Sequence, residues 1–257
     1  MNEVIKTIQN LKSIRNFSEK KISDEDLKLI LNSAVRAANA SSMQSYSMIV
    51  IENKNIMKEL TGYSGSKAVI YCIDLYRLLT AAEFLKQPFG IYDIISFITS
   101  AIDTILAVQT SVIAAKSIGI DSLITNGINR MGLKKAYKLL NLPKKGCFPL
   151  ITVIFGYNKE EQKKQHGRLQ NDAIIHYGKY NQLNEEKIKN LIAEYNNHKK
   201  PIGLINDWEK LGLKNYLDWL FSKWLKSENL SIAEEKLKEF YNILNKTGFL
   251  KYSNFKL

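Results

Sequence analysis

Apolar positions along the chain recur with two periods, one helical and one extended. From Glu3 to Leu11, the residues Val4, Ile5, Ile8 and Leu11 fall on one helical face. The polar stretch Lys12-Ser13-Ile14-Arg15-Asn16-Phe17 interrupts that pattern. A second helix opens at Ser23, whose hydroxyl can cap free amides, and Asp26 three residues on completes an acidic capping box. Its apolar stripe is Leu27, Ile30, Leu31, Ala34 and Ala38. Small polar residues from Asn39 to Ser42 come next, then a strand-like run from Tyr46 to Glu52. A short helix around Ile56 to Leu60 leads past Gly62 and Gly65 to a second strand, Ala68 to Ile73.

The longest continuous helix candidate runs from Tyr92 to Ile118, roughly 40 Å at about 1.5 Å per residue. It is apolar nearly all round, yet contains Asp93, Asp103 and Gln109. A membrane span is long enough to fit this window. A carboxylate near the middle is expensive in lipid, and the flanking Lys and Arg of a span are missing. The pattern fits a central helix buried between layers or between subunits.

Beyond Gly119 the chain reads as a short strand, Ser122 to Thr125, a turn at Asn126-Gly127, and a helix from Leu133 to Leu140 ended by Pro143. The strongest strand is Phe148 to Phe155, closed by Gly156. Residues 158–184 are polar and irregular, and helical patterns follow at 185–196, 207–226 and 231–246. Strands and helices mix without strict βαβ alternation, which favours α+β over a doubly wound sheet. We read 1–257 as a single domain with a core over 1–160 and a helical extension over 161–257.

Composition narrows the picture. The chain has 257 residues, 45% of them hydrophobic and 24% charged, with 13 Gly and 4 Pro, which excludes wholesale disorder and a fibrous chain. No amino-terminal apolar run resembles a signal peptide, because Lys6, Gln9, Asn10 and Lys12 interrupt it, so a cytoplasmic protein is expected. The formal charge of +12 favours phosphate-bearing partners. The charge is dispersed in short pairs such as Lys20-Lys21 and Lys134-Lys135, without a basic tail or arginine block. Anion binding is therefore expected, and nucleic-acid binding is not.

Several kinds of chemistry lack their residues. Three histidines, with neither HExxH nor a paired-cysteine motif, leave no metal centre to expect. No G-x-S-x-G elbow or G-x-G-x-x-G fingerprint occurs. Cys72 and Cys147 stand in or beside apolar strands and read as small core residues.

Four polar pieces remain. Lys12, Ser13 and Arg15 combine a point charge, a hydroxyl and a planar fork, a set that can grip a phosphate. Asn39-Ala40-Ser41-Ser42-Met43-Gln44 forms a small polar loop whose amides and hydroxyls can approach a polar heterocycle. Ile124-Thr125-Asn126-Gly127 lies at a strand end, and Arg168 sits within His166-Gly167-Arg168-Leu169.

In this order, and with Cys72-Ile73-Asp74-Leu75-Tyr76-Arg77, Asp103-Thr104, Ala114-Ala115-Lys116-Ser117-Ile118-Gly119 and Leu139-Leu140-Asn141-Leu142-Pro143, the chain resembles the FMN-dependent nitroreductase family. Its nearest likeness is the branch of NADPH-preferring nitroreductases and flavin reductases with a helical extension, over residues 10–200 or so. The resemblance implies a central, mainly antiparallel sheet flanked by helices, and a homodimer with FMN at the subunit interface. The helix around Asp103 would then be the dimer core. It further implies that Lys12, Ser13 and Arg15 hold the ribityl phosphate, flanked by Leu11 and Ile14 and joined by His166 and Arg168. Asn39 and Ser41 would meet the flavin ring edge, with Ile124, Thr125, Asn126 and Gly127 along the ring and ribityl chain. Met43 would line the acceptor site, and Lys199 and Lys200 would meet the 2′-phosphate of NADPH.

The activity so implied is ping-pong reduction of nitroaromatics, quinones or flavins, by hydride transfer from NADPH or NADH through flavin N5. No side chain need act as nucleophile or general acid, so no catalytic residue is assigned. The chain departs from the branch between Gly62 and Ile70, where it is shorter and lacks a flavin-contacting Gln; Ser66 is the nearest polar candidate. That departure motivates an alternative, a flavin-binding or regulatory protein of the same fold with little turnover.

Overall fold

A computed structural model describes residues 1–90, 93–160, 166–170, 173–226 and 234–250. Tyr92, at the expected start of the long helix, and the expected helical residues 231–233 lie outside that set. The chain divides into two compact units, one formed by Met1–Glu161 with Ile232–Leu257, the other by Gln162–Ser231. The expected extension is thus not one piece, because its last helix belongs to the first unit.

The first unit is built on a four-stranded sheet in the order β1-β2-β4-β3, with β1 Tyr46–Ile51, β2 Lys67–Asp74, β3 Asp121–Thr125 and β4 Cys147–Gly156. All three strand pairings are antiparallel. Every residue of β2 is buried, because helices cover both faces of the sheet. On one face Val69, Tyr71, Val153 and Phe155 pack with Leu27, Ile30 and Ala34 of α2 (Asp24–Ala34) and with Ala107, Val108, Val112 and Ala115 of α5 (Ile94–Ser117). On the other, Ala68, Ile70, Cys72 and Ile154 pack with Met57 and Leu60 of α3 (Lys54–Thr61), Ile128 of α6 (Gly127–Met131) and Ala136 of α7 (Leu133–Leu139). The α10 helix (Glu234–Lys246) closes one end, where Ile243 and Leu244 join Ile73, Leu133 and Phe148. Cys147 lies in the same cluster as Cys72, and contact with it, together with burial, pushes the Cys72 thiol well above its ordinary pKa.

Local chemistry explains the element ends. The Ser23 hydroxyl accepts from the Asp26 amide at 3.0 Å and so caps α2. Asp93 and Ser96 form a reciprocal capping box at the start of α5. The α5 helix is long and apolar enough to cross a membrane. Here, however, its buried face carries Ser96, Ser100, Asp103, Thr104 and Ser111 against the first unit's own elements, while Ile95, Ile98, Ile102 and Ile105 face outward.

Two expectations are corrected, and one helix is added. Asn126-Gly127 opens a helix rather than a turn, because the Thr125 hydroxyl accepts from the Gly127 amide at 3.1 Å and starts α6. A helix not foreseen, α4 (Tyr76–Phe84), follows β2, its start marked by the Asp74 carboxylate accepting from the Tyr76 amide at 2.9 Å. In the second unit, 207–226 is not one helix. After α8 (Glu185–Tyr195), a 3₁₀ turn at Trp208–Leu211 ends at Gly212, whose φ of 73° cannot continue a right-handed helix. Asn215 and Asp218 then cap a new start, α9 (Tyr216–Trp219), which widens into a π turn at Leu220–Trp224. Trp208 and Tyr216 form the buried centre of this unit, with His198 stacked on Trp208 and Tyr195 on Tyr216.

Candidate functional site

The basic segment is fixed to the outer edge of the sheet. Ser13 bridges Ser122 in parallel, and the Ile14 amide donates to the Ser122 carbonyl at 2.9 Å. Ile14 is buried at 2% exposure and anchors the segment, whereas Ser13 and Arg15 are exposed on either side of it. In extended backbone, residues two apart share a face, so Ser13 and Arg15 point away from the core together. Lys12 and Leu11 are half-buried. Arg15 has no ion pair among the described residues, which leaves its guanidinium free to take an anion.

β3 lies directly inside this segment and carries Ile124 and Thr125, followed by exposed Asn126 and buried Gly127. The structure therefore brings Ser13, Arg15 and Ile124–Gly127 to one edge of the sheet.

The loop from Asn39 to Ser45 is elsewhere. It leads into β1 at the opposite edge, four strand spacings of about 4.8 Å from Ser13. Tyr46 pairs with Ile73, which pairs with Phe148, whereas Ser122 pairs with Phe155 farther along the same strand. That offset is about 23 Å at ~3.3 Å per residue, so the two candidate groups occupy opposite corners, roughly 30 Å apart.

The loop itself is strained and tightly held. Ser41, Ser42 and Gln44 take φ of 50, 55 and 45°, a left-handed region that costs a non-glycine residue about 1–3 kcal/mol. The carboxylate of Asp103, 2% exposed within α5, accepts from the Ala40 amide at 2.9 Å and from the Ser45 hydroxyl at 2.7 Å. Asn39 Oδ1 accepts from the Gln44 amide at 3.0 Å. Arg77 donates to the Gln44 carbonyl and, at 3.2 Å, to that of Tyr46, and its Nε stands 3.8 Å from the Asp74 carboxylate. Ser41 and Met43 line a hollow of 290 Å³ with Ser96, Thr99 and Ser100 of α5. Asp103 and Arg77 were not foreseen as site residues. Their only signals were a lone carboxylate in an apolar helix and a place in the Asp74–Arg77 motif.

Ser66 is already engaged, since its hydroxyl accepts from the Ile22 amide at 2.8 Å.

In the second unit, residues 166–168 run beside 200–202, joined by the Gly167 amide to the Pro201 carbonyl at 2.9 Å. A β-carbon at Gly167 would lie 2.8 Å from the Lys200 carbonyl, so only glycine allows this approach. Arg168 and Lys200 line one hollow of 370 Å³ with Gln170, Glu194 and Asn197. His166 and Lys199 are exposed, and Lys199 does not line that hollow.

An antiparallel sheet between helical layers, with a long central helix and a basic segment outside its edge strand, is an α+β architecture shared with several solved structures. The NfrA2 structure of B. megaterium superposes with a TM-score of 0.81 at 26% identity, covering 98% of this chain and 100% of that one. The NADPH:FMN oxidoreductase of Vibrio harveyi, solved with NAD+, shares the fold with a TM-score of 0.77 at 20% identity, covering 98% of this chain and 100% of that one. A family model described as "Nitroreductase family" matches residues 8–71 of the chain. Among curated relatives, an FMN reductase (NADPH) of Bacillus subtilis is 29% identical over 205 residues, 76% of this chain and 81% of its own length. The NADPH-flavin oxidoreductase of Vibrio harveyi is 26% identical over 200 residues, 74% of this chain and 79% of its own.

Proposed function

We propose that this protein is an FMN-dependent NAD(P)H oxidoreductase of the nitroreductase type, acting as a cytoplasmic homodimer on small aromatic electron acceptors. The observation that carries the cofactor assignment is the segment outside β3. There an exposed hydroxyl and an unpaired guanidinium, at Ser13 and Arg15, are held on a rigid strand edge by Ile14, and Lys12 is adjacent. That donor set fits a phosphate monoester. Ile124–Gly127 on the next strand give the rest of the mononucleotide a backbone to lie along. Bound FMN supplies two-electron chemistry between a nicotinamide donor and an acceptor. The chain's own residues bind and orient, and none is assigned proton transfer.

The dimer is supported by placement. The loop proposed to meet the ring edge and the segment proposed to grip the phosphate are roughly 30 Å apart in one chain, more than an FMN spans. A second copy brings one chain's loop to the other's phosphate grip. The outward face of α5, with Ile95, Ile98, Ile102 and Ile105 exposed, is the surface such a copy would cover. In the second unit, Arg168 and Lys200 form a further anion-binding pair, suited to a phosphate of either nucleotide.

The reading is tested by the visible spectrum of purified protein before and after anaerobic NADPH. A yellow protein that bleaches supports it, and a colourless one that takes up no added FMN overturns it. A yellow protein that NADPH and NADH both fail to bleach favours a flavin-binding protein of low turnover, a second reading consistent with the engagement of Ser66 by Ile22.

A further inference from the structure

The loop from Ala40 to Ser45 raises a question that the flavin reading leaves open. A chain segment without glycine holds three residues in left-handed conformation, and such a segment relaxes unless its surroundings fix it. Asn39 Oδ1 holds the Gln44 amide inside the loop at 3.0 Å, and one buried carboxylate holds both of its ends. One oxygen of Asp103 holds the amide at the start of the loop and the other holds the hydroxyl at its end. Asp103 projects from the middle of a 24-residue helix packed on α2 and the sheet, so its position is set by the core. Arg77 braces the far side through the Gln44 and Tyr46 carbonyls.

We propose that Asp103 is a positioning residue for the flavin site: without touching the cofactor, it sets the conformation of Ser41–Gln44 and thereby the surroundings of the ring edge and acceptor hollow. This rests on the FMN reading above. Ser41 and Met43 both line the hollow against α5, so a shift of the loop reshapes its wall.

The test compares wild type with Asp103→Asn and Asp103→Ala as FMN-loaded full-length protein. Asparagine can keep both contacts, Oδ1 accepting from the Ala40 amide and Nδ2 donating to the Ser45 hydroxyl, whereas alanine keeps neither. Amide exchange across 40–46, the bands and midpoint potential of the bound flavin, and the rate of anaerobic bleaching by NADPH are measured together. In Asp103→Ala, exchange across the loop rises while the sheet stays protected, the flavin bands and potential shift, and bleaching slows by about tenfold or more. Asp103→Asn returns all three toward wild type. Ser45→Ala removes one of the two contacts and gives an intermediate result; it carries the test if Asp103→Ala does not fold.

Wild-type exchange, spectrum and bleaching rate in folded Asp103→Ala, or in Ser45→Ala standing in for it, would overturn the proposal. So would altered exchange with an unaltered flavin. Failure of the underlying reading looks different, because wild type itself then takes up no FMN, and both claims fall.

Discussion

Gly127 lies flat against Thr61: a β-carbon built on it would stand 2.3 Å from the Thr61 carbonyl oxygen and 2.8 Å from its Cα. Both atoms are backbone of α3 and cannot swing aside. The junction of β3 and α6 is thereby locked to the helix layer beneath it. Gly127→Ala is expected to destabilise the fold by about 1–3 kcal/mol, read as a lowered calorimetric Tm, and to weaken FMN retention with it. An unchanged Tm would show that α3 yields.

Lys67 offers a test of charge burial. Its side chain is 8% exposed and its ammonium meets Glu52 and, at 3.1 Å, Asp24, whose side chains are 66% and 94% exposed. Removing the lysine leaves two acids that water can reach, so Lys67→Met should cost little. Removing both acids leaves the ammonium without its partners, and Asp24→Asn with Glu52→Gln should cost about 1–2 kcal/mol. Urea unfolding of the two variants decides the order.

The same site carries a pH dependence. The hydrogen bond to Glu52 raises the Lys67 pKa above its ordinary value. A raised cationic pKa contributes stability in full below the unfolded value near 10.4, and that contribution fades as pH climbs through the folded value. Wild type should therefore lose stability above that range more steeply than Lys67→Met, measured as unfolding midpoints across alkaline pH.

Arg15 is exposed and unpaired among the described residues, so Arg15→Ala should leave stability within about 0.5 kcal/mol. FMN affinity should nevertheless fall by roughly tenfold to a hundredfold, the worth of a charge-assisted contact. Full flavin retention on a desalting column would remove Arg15 from the phosphate site. On the second unit, Lys200→Ala should weaken NADPH by roughly tenfold and Lys199→Ala should not, since only Lys200 lines the hollow with Arg168. Equal effects in fluorescence titration would assign that hollow elsewhere.

Ile102 is 56% exposed on the outward face of α5. Ile102→Lys should be harmless to a lone chain and disruptive to a dimer built on that face. Light scattering should report a monomer that has also lost FMN, because the proposed flavin site draws its two halves from different copies. A flavin-loaded dimer would place the interface on another surface.

Much of the core unit was legible in the sequence because its signals are local. Ser23 caps α2, near-continuous apolar runs mark β1 and β4, and the apolar length of α5 is plain from composition. The misreadings have local causes of another kind. Asn126-Gly127 carries turn chemistry, yet a hydroxyl one residue earlier makes it a helix start. Gly212 splits a helical pattern that periodicity alone would join. The conformation of Ser41–Gln44 was not legible, since no glycine marks left-handed backbone there. Asp103, which holds that loop, stands 58 and 63 positions away from the groups it binds. The separation of Arg15 from Ser41 depends on strand order, which follows from no single stretch of residues.

The bridge between Ser13 and Ser122 also bears on how the protein is made. The strand that receives Ser13 is synthesised about a hundred residues after it, on the order of 5–20 s at typical rates. Until then the basic segment has no edge to dock on, and β3 in turn needs β4 beyond it. A nascent chain would thus gain affinity for a phosphate ligand only after its sheet closes, which makes flavin capture a late event and a natural report that folding has finished.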